Sequence, residues 1–154
     1  MFSRGLLARP DRGGCNAAVK TITFDLDTIR TLLHLLGVIV WLGGQILMLA
    51  IVPTLRNIGG EAPRQVAAAF GRVAWGFFGL IVITGIWNVF AVDLADVSMG
   101  YNMAFGIKML LVLVTGGAAF LHQRATSPGL RAATGALGLL ASIVALILGV
   151  LMGH

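Results

Sequence analysis

Four long apolar runs separated by short polar breaks organise this chain. The first runs from about Asp27 to Pro53, with no charge between Thr31 and Leu55, and Pro53-Thr54-Leu55-Arg56 marks its exit. The second covers 70–92, the third 102–122 and the fourth 130–153. Each is long enough to cross a bilayer, which takes about 20 apolar residues in a helix. The links are short: Arg56 to Ala69, Asp93 to Tyr101, and Gln123 to Gly129. Short links favour antiparallel neighbours, so the pattern predicts an all-α integral membrane protein built as a four-helix up-down bundle. Glycines and small residues supply the contact faces: Gly37, Gly43 and Gly44, then Gly76, Gly79 and Gly85, then Gly116 and Gly117, and the series Thr134, Gly138, Ser142, Gly149. Membrane helices pack through such residues because lipid provides no hydrophobic drive between them.

Composition agrees with that frame and removes alternatives. Charged residues make up 11% of the 154, against about 25% in soluble domains, and mean hydropathy is +0.94. No soluble core of this size could absorb so much apolar surface, so the lipid bilayer is the first partner. The net charge of +5 reads as topology. It lacks the aromatic and basic interleaving of a nucleic-acid surface, and no nucleic acid is expected as a partner. Arg56, Arg64 and Arg72 flank the first link and Arg124 and Arg131 the third, whereas the middle link carries Asp93 and Asp96. Basic links belong in the cytoplasm, which puts both termini outside. The polar segment 1–27, with Arg4, Arg9, Arg12 and Lys20, argues the other way, as does Arg30. That segment reads as a disordered or weakly interfacial tail, with Val19 an alternative start. The single cysteine, Cys15, provides no disulfide framework, and no apolar segment precedes it as a lipid-anchor signal would require.

Inside the spans the polar residues are few. His34 shares one helical stripe with Trp41, Gln45 and Met48. An imidazole at that depth is costly unless it faces protein, water or a ligand; the plain alternative is a residue that snorkels or bonds a backbone carbonyl. In the third span Lys108, Thr115 and His122 fall seven apart on one face. The up-down order brings His34, Lys108, Thr84, Trp87, Asn88, Met152 and His154 to the same outer half, with Met99 and Met103 close by. Imidazole and thioether suit copper, and imidazole also suits haem iron. The candidate metal ligands are therefore His34, Met48, Met103, His122 and His154. His34, Lys108 and Trp41 are the candidate cofactor-binding residues. Lys108 and His122 also admit a simpler reading as residues of the two membrane interfaces. No carboxylate is embedded in the spans, and there is no phosphate-binding loop, dinucleotide glycine fingerprint or HExxH zinc motif. Ser142 lies in the packing series with no acid nearby, so a Ser-His-Asp hydrolase is unsupported.

The segment His34-Leu-Leu-Gly-Val-Ile-Val-Trp41-Leu-Gly43-Gly44 resembles the first helix of the CopD copper-resistance family. The likeness continues through Val52-Pro53, Phe70-Gly71-Arg72-Val73-Ala74-Trp75, Thr84-Gly85-Ile86-Trp87-Asn88 and Lys108-Met109-Leu110-Leu111-Val112, most of residues 28–152. It implies a bacterial inner-membrane protein of copper uptake or tolerance, with His34 and Lys108 as the functional polar positions. Copper, as an ion or delivered by a periplasmic carrier, would be the partner. Many members are longer, and a four-helix unit with so few polar groups would form a pathway as a homodimer or within a larger membrane complex. The first-helix histidine with tryptophan one heptad on, and the third-helix lysine, are also similar to HemJ, the four-helix protoporphyrinogen oxidase associated with haem. That likeness implies haem b as the alternative cofactor and an oxidoreductase as the alternative function; an accessory membrane subunit is a third class.

Overall fold

The computed structural model describes residues 25–91 and 97–153. Four helices account for nearly all of them: α1 (Leu26–Ile58), α2 (Ala62–Ala91), α3 (Met99–Arg124) and α4 (Pro128–Met152). All four are long and apolar enough to cross a membrane. The chain is a multi-pass membrane protein with an all-α, four-helix architecture. Most of the tail (1–24), Cys15, Asp93, Asp96 and His154 lie outside the described residues.

Local chemistry sets the helix ends. Asp25 caps α1, its carboxylate accepting from the Thr28 backbone N–H at 2.8 Å and from the Thr28 hydroxyl at 2.8 Å. Ser98 caps α3 and Ser127 caps α4 in the same way, the latter with Pro128 in the first turn, where its missing N–H costs nothing. The helix α1 ends at Gly59 and Gly60, both in the left-handed region (φ +80° and +64°) that a side chain disfavours.

The first link is where the structure departs most from the sequence expectation. Pro53 does not end α1, which continues five residues further, and α2 begins at Ala62, eight residues before the expected start. The link shrinks from Arg56–Ala69 to Gly59, Gly60 and Glu61. Loss of hydropathy marks the edge of the lipid, not the end of a helix. A helix of 33 residues is about 50 Å long, so α1 outruns a hydrocarbon core of about 30 Å, and Arg56 and Arg64 stand on helix rather than in loop.

The bundle consists of two antiparallel hairpins. In the first, α1 meets α2 through glycines: a Cβ at Gly37 would sit 2.7 Å from Ile81 Cγ1 and 3.2 Å from the Phe77 carbonyl oxygen, and one at Gly44 would run into the Phe70 ring. In the second, α3 meets α4 through Gly138 beside Ala118, Gly135 beside His122 and Gly149 beside Lys108. The hairpins join at mid-height, where Trp41 packs on Phe78 (centroids 4.5 Å apart) and edge-on to Trp75 (5.9 Å), and the Phe78 ring covers Gly116. Hydroxyl side chains lie inside the bundle and large apolar ones outside it. Thr84, Thr115, Thr134 and Ser142 are buried, whereas Leu113 is 72% and Phe90 84% exposed, as befits side chains that face lipid.

Candidate functional site

Between the hairpins lies a cavity of about 420 Å³ with walls from all four helices. Thr31, Asn88, Tyr101 and Met152 stand at its mouth, near the start of α1 and the end of α4; Trp41, Thr115 and Ser142 lie deepest. The size falls within the roughly 300–1,000 Å³ of small-molecule sites. Val38, Phe78, Ile81, Phe105, Val112 and Leu146 make most of the wall apolar.

Two of its lining residues, His34 and Lys108, carry basic side chains within membrane-spanning helix. Counting along the helices, His34 lies a little over two turns into α1 and Lys108 about two and a half turns into α3. The latter is deeper than the sequence suggests because α3 starts at Met99. His34 Nδ1 lies 2.8 Å from Thr84 Oγ1 across the α1–α2 contact. Lys108 runs beside Gly149, where a Cβ would come within 3.2 Å of Nζ, and it forms no ion pair among the described residues. Glycine at 149 thus leaves room for the ammonium between α3 and α4.

The floor is a closed hydrogen-bond network. Trp41 Nε1–H donates to Ser142 Oγ (3.3 Å) and Thr115 Oγ1 (3.4 Å), and Gln45 Nε2–H donates to Ser142 Oγ (3.3 Å). The two hydroxyls are 2.7 Å apart, and each lies within 2.9 Å of the Gly138 carbonyl. One hydroxyl proton bridges Thr115 and Ser142, and the other goes to the Gly138 carbonyl. The network ties α1, α3 and α4 at one level.

The candidates named from sequence separate into those the fold gathers and those it does not. His34, Lys108 and Trp41 share the cavity, joined by Met152 and Asn88. Met48 is half-buried and outside it, 14 residues (about 21 Å) along α1 from His34. Met103 and Met99 are 62% and 80% exposed, and Trp87 is 40% exposed and off the cavity wall. His122 sits at the other end of α3, its Nδ1–H donating to the Arg131 carbonyl at 2.8 Å, about 21 Å from Lys108. Among the described residues no three His, Cys, Asp or Glu side chains cluster as a metal site would require.

Tyr101, Phe105 and Ser142 were not foreseen as site residues. Tyr101 and Phe105 continue the Lys108–Thr115 stripe by one heptad towards the helix start, so extending that stripe would have found them. Ser142 is one of the few hydroxyls in α4, and only its neighbours distinguish a network member from a packing residue. Comparison of the chain with protein-family models, with curated proteins and with solved structures gives no match.

Proposed function

We propose that this membrane protein binds an acidic amphiphile of the haem class in the four-helix cavity, with His34 available to iron and Lys108 to a carboxylate. The observation that carries the reading is the pairing of an imidazole with an ammonium that forms no ion pair among the described residues, both lining one largely apolar cavity. An unpaired ammonium inside a membrane span is expensive, and an anionic group on a ligand offsets that cost. The apolar wall suits a large hydrophobic body, and the donors at the mouth suit its polar edge. Bound haem b would supply one-electron chemistry at its iron, tuned by the axial ligand. The protein's part is to orient the imidazole, neutralise a carboxylate and keep the centre out of water. The basic residues of the far end, Arg56, Arg64, Arg124 and Arg131, support a cytoplasmic position for that end. The cavity mouth then faces outward across what the resemblance implies is a bacterial plasma membrane.

Copper handling, the function implied by the CopD resemblance, is the second reading. Met152 favours it, because a thioether joins His34 on the cavity wall and both are ligands for Cu(I). Lys108 counts against it, since an ammonium in the same cavity repels a cation. Protein purified in mild detergent after expression with a haem supply decides between the two. An absorption band of bound haem with near-stoichiometric iron, lost in H34A and weakened in K108M, is the expected result. Copper without iron supports the second reading, and a protein carrying neither, and taking up neither from solution, overturns both.

A further inference from the structure

A proton count around Thr84 leads to a positioning role for this residue. Thr84 is fully buried, 2% exposed, and lies opposite His34 where α1 crosses α2. Its hydroxyl carries one proton. Leu80, one turn back on α2, presents its carbonyl oxygen 2.6 Å away, and the Ile81 carbonyl lies at 3.2 Å. Carbonyls only accept, so the hydroxyl proton goes to Leu80, the usual back-bonding of a helical threonine. The oxygen then meets His34 Nδ1 at 2.8 Å with lone pairs alone, and the hydrogen between them must come from the imidazole. The Ile81 carbonyl is a second acceptor near the ring, and no hydrogen bond of acceptable distance and angle reaches Nε2 from the described residues.

We infer that Thr84 holds His34 as the Nδ1–H tautomer, so that Nε2 keeps its lone pair and is the single ring nitrogen through which a ligand can be bound. This deepens the proposed function, and His34 would be a poor ligand without it: free imidazole favours neither the required rotamer nor this tautomer, and an Nε2–H has no lone pair to give. In metal sites the partner that takes the other ring N–H plays this part, and its loss typically lowers metal affinity about 10- to 100-fold. The arrangement here differs from the usual carbonyl or carboxylate partner. A neutral hydroxyl, itself pinned to the helix backbone, avoids placing a negative charge in the membrane.

The first test needs no ligand. Nitrogen-15 magnetic resonance of histidine-labelled protein in detergent micelles, with the His34 signal assigned by its loss in H34Q, reports which ring nitrogen carries hydrogen. The expected result is Nδ1–H in the wild type and in T84S, and Nε2–H or a mixture in T84V, which matches threonine in shape and lacks only the hydroxyl. Nε2–H or a doubly protonated ring in the wild type overturns the inference, as does an unchanged Nδ1–H in T84V. Should T84V not fold, the wild-type and T84S spectra still decide. Titration with haemin then separates this inference from the function it serves. Binding weakened about 10-fold or more in T84V and restored in T84S supports both. Equal binding by wild type and T84V overturns the positioning role, while a wild-type Nδ1–H with no haemin uptake removes the haem reading and leaves the tautomer standing.

Discussion

Two levels of the same bundle, two helical turns apart, obey opposite rules. At Trp41 the helices are drawn together by indole, amide and hydroxyl groups that hydrogen-bond one another, and aromatic rings fill the remaining space. At His34 the helices stand apart around a cavity, and among the described residues Lys108 forms no ion pair and no hydrogen bond of acceptable distance and angle reaches Nε2 of His34. Residues selected only for stability would not leave an ammonium unpaired where hydrocarbon lies outside. The contrast teaches that the lower level holds the hairpins together so that the upper one can remain open. Cost at one level and gain at the other belong to the same construction.

Substitutions that act on one level and spare the other test the contrast. The largest effect is expected at the α1–α2 contact that carries both. G37A places a methyl against Ile81 and the Phe77 carbonyl, and backbone cannot move aside as a side chain can. It should cost about 1–3 kcal/mol in detergent unfolding, whereas G43A, with nothing within 4 Å, should be neutral. Next comes the floor. S142A removes the acceptor shared by Trp41 and Gln45 and should cost about 1–2 kcal/mol, with a shift in Trp41 fluorescence. Opposite in sign is K108M, which in ligand-free protein should raise stability by roughly 1 kcal/mol by removing the unpaired ammonium. A loss of stability in K108M would show that Lys108 serves the fold and would undo the contrast.

The smallest effect lies outside the membrane at the α1 cap. Hydrogen bonds from the Thr28 backbone N–H and then from its hydroxyl hold the Asp25 carboxyl below its ordinary 3.8. Since the folded value is the lower one, the cap's contribution is complete above that ordinary value and is lost as pH falls through the depressed one. Acidification should therefore speed hydrogen exchange at the Thr28 amide, and D25S, a cap that does not titrate, should abolish that pH dependence.

The helices were legible because hydropathy over 20 residues is a strong and local signal. Their ends were less so, as Pro53 shows: a proline near the membrane edge can lose its backbone hydrogen bond to water without ending the helix. That His34 and Lys108 stand at one level was legible from depth alone, once up-down topology was assumed. Met48, Met103 and His122 share composition with that site and not its position. Depth alone separates Met48 and His122 from it, and the rotation of α3 turns Met103 outwards.

By itself the sequence determined four apolar spans, their alternating direction, and the levels at which His34, Trp41, Thr115 and Lys108 would stand, because each follows from rise per residue and from the cost of polar groups in lipid. Tertiary structure alone decided which of those residues face each other, since helix rotation is set by contacts such as Gly37 on Ile81 and Gly149 on Lys108. It also decided that Thr84 accepts a hydrogen bond and does not donate one to His34. That outcome depends on where a single hydroxyl proton goes, and the Leu80 carbonyl at 2.6 Å takes it.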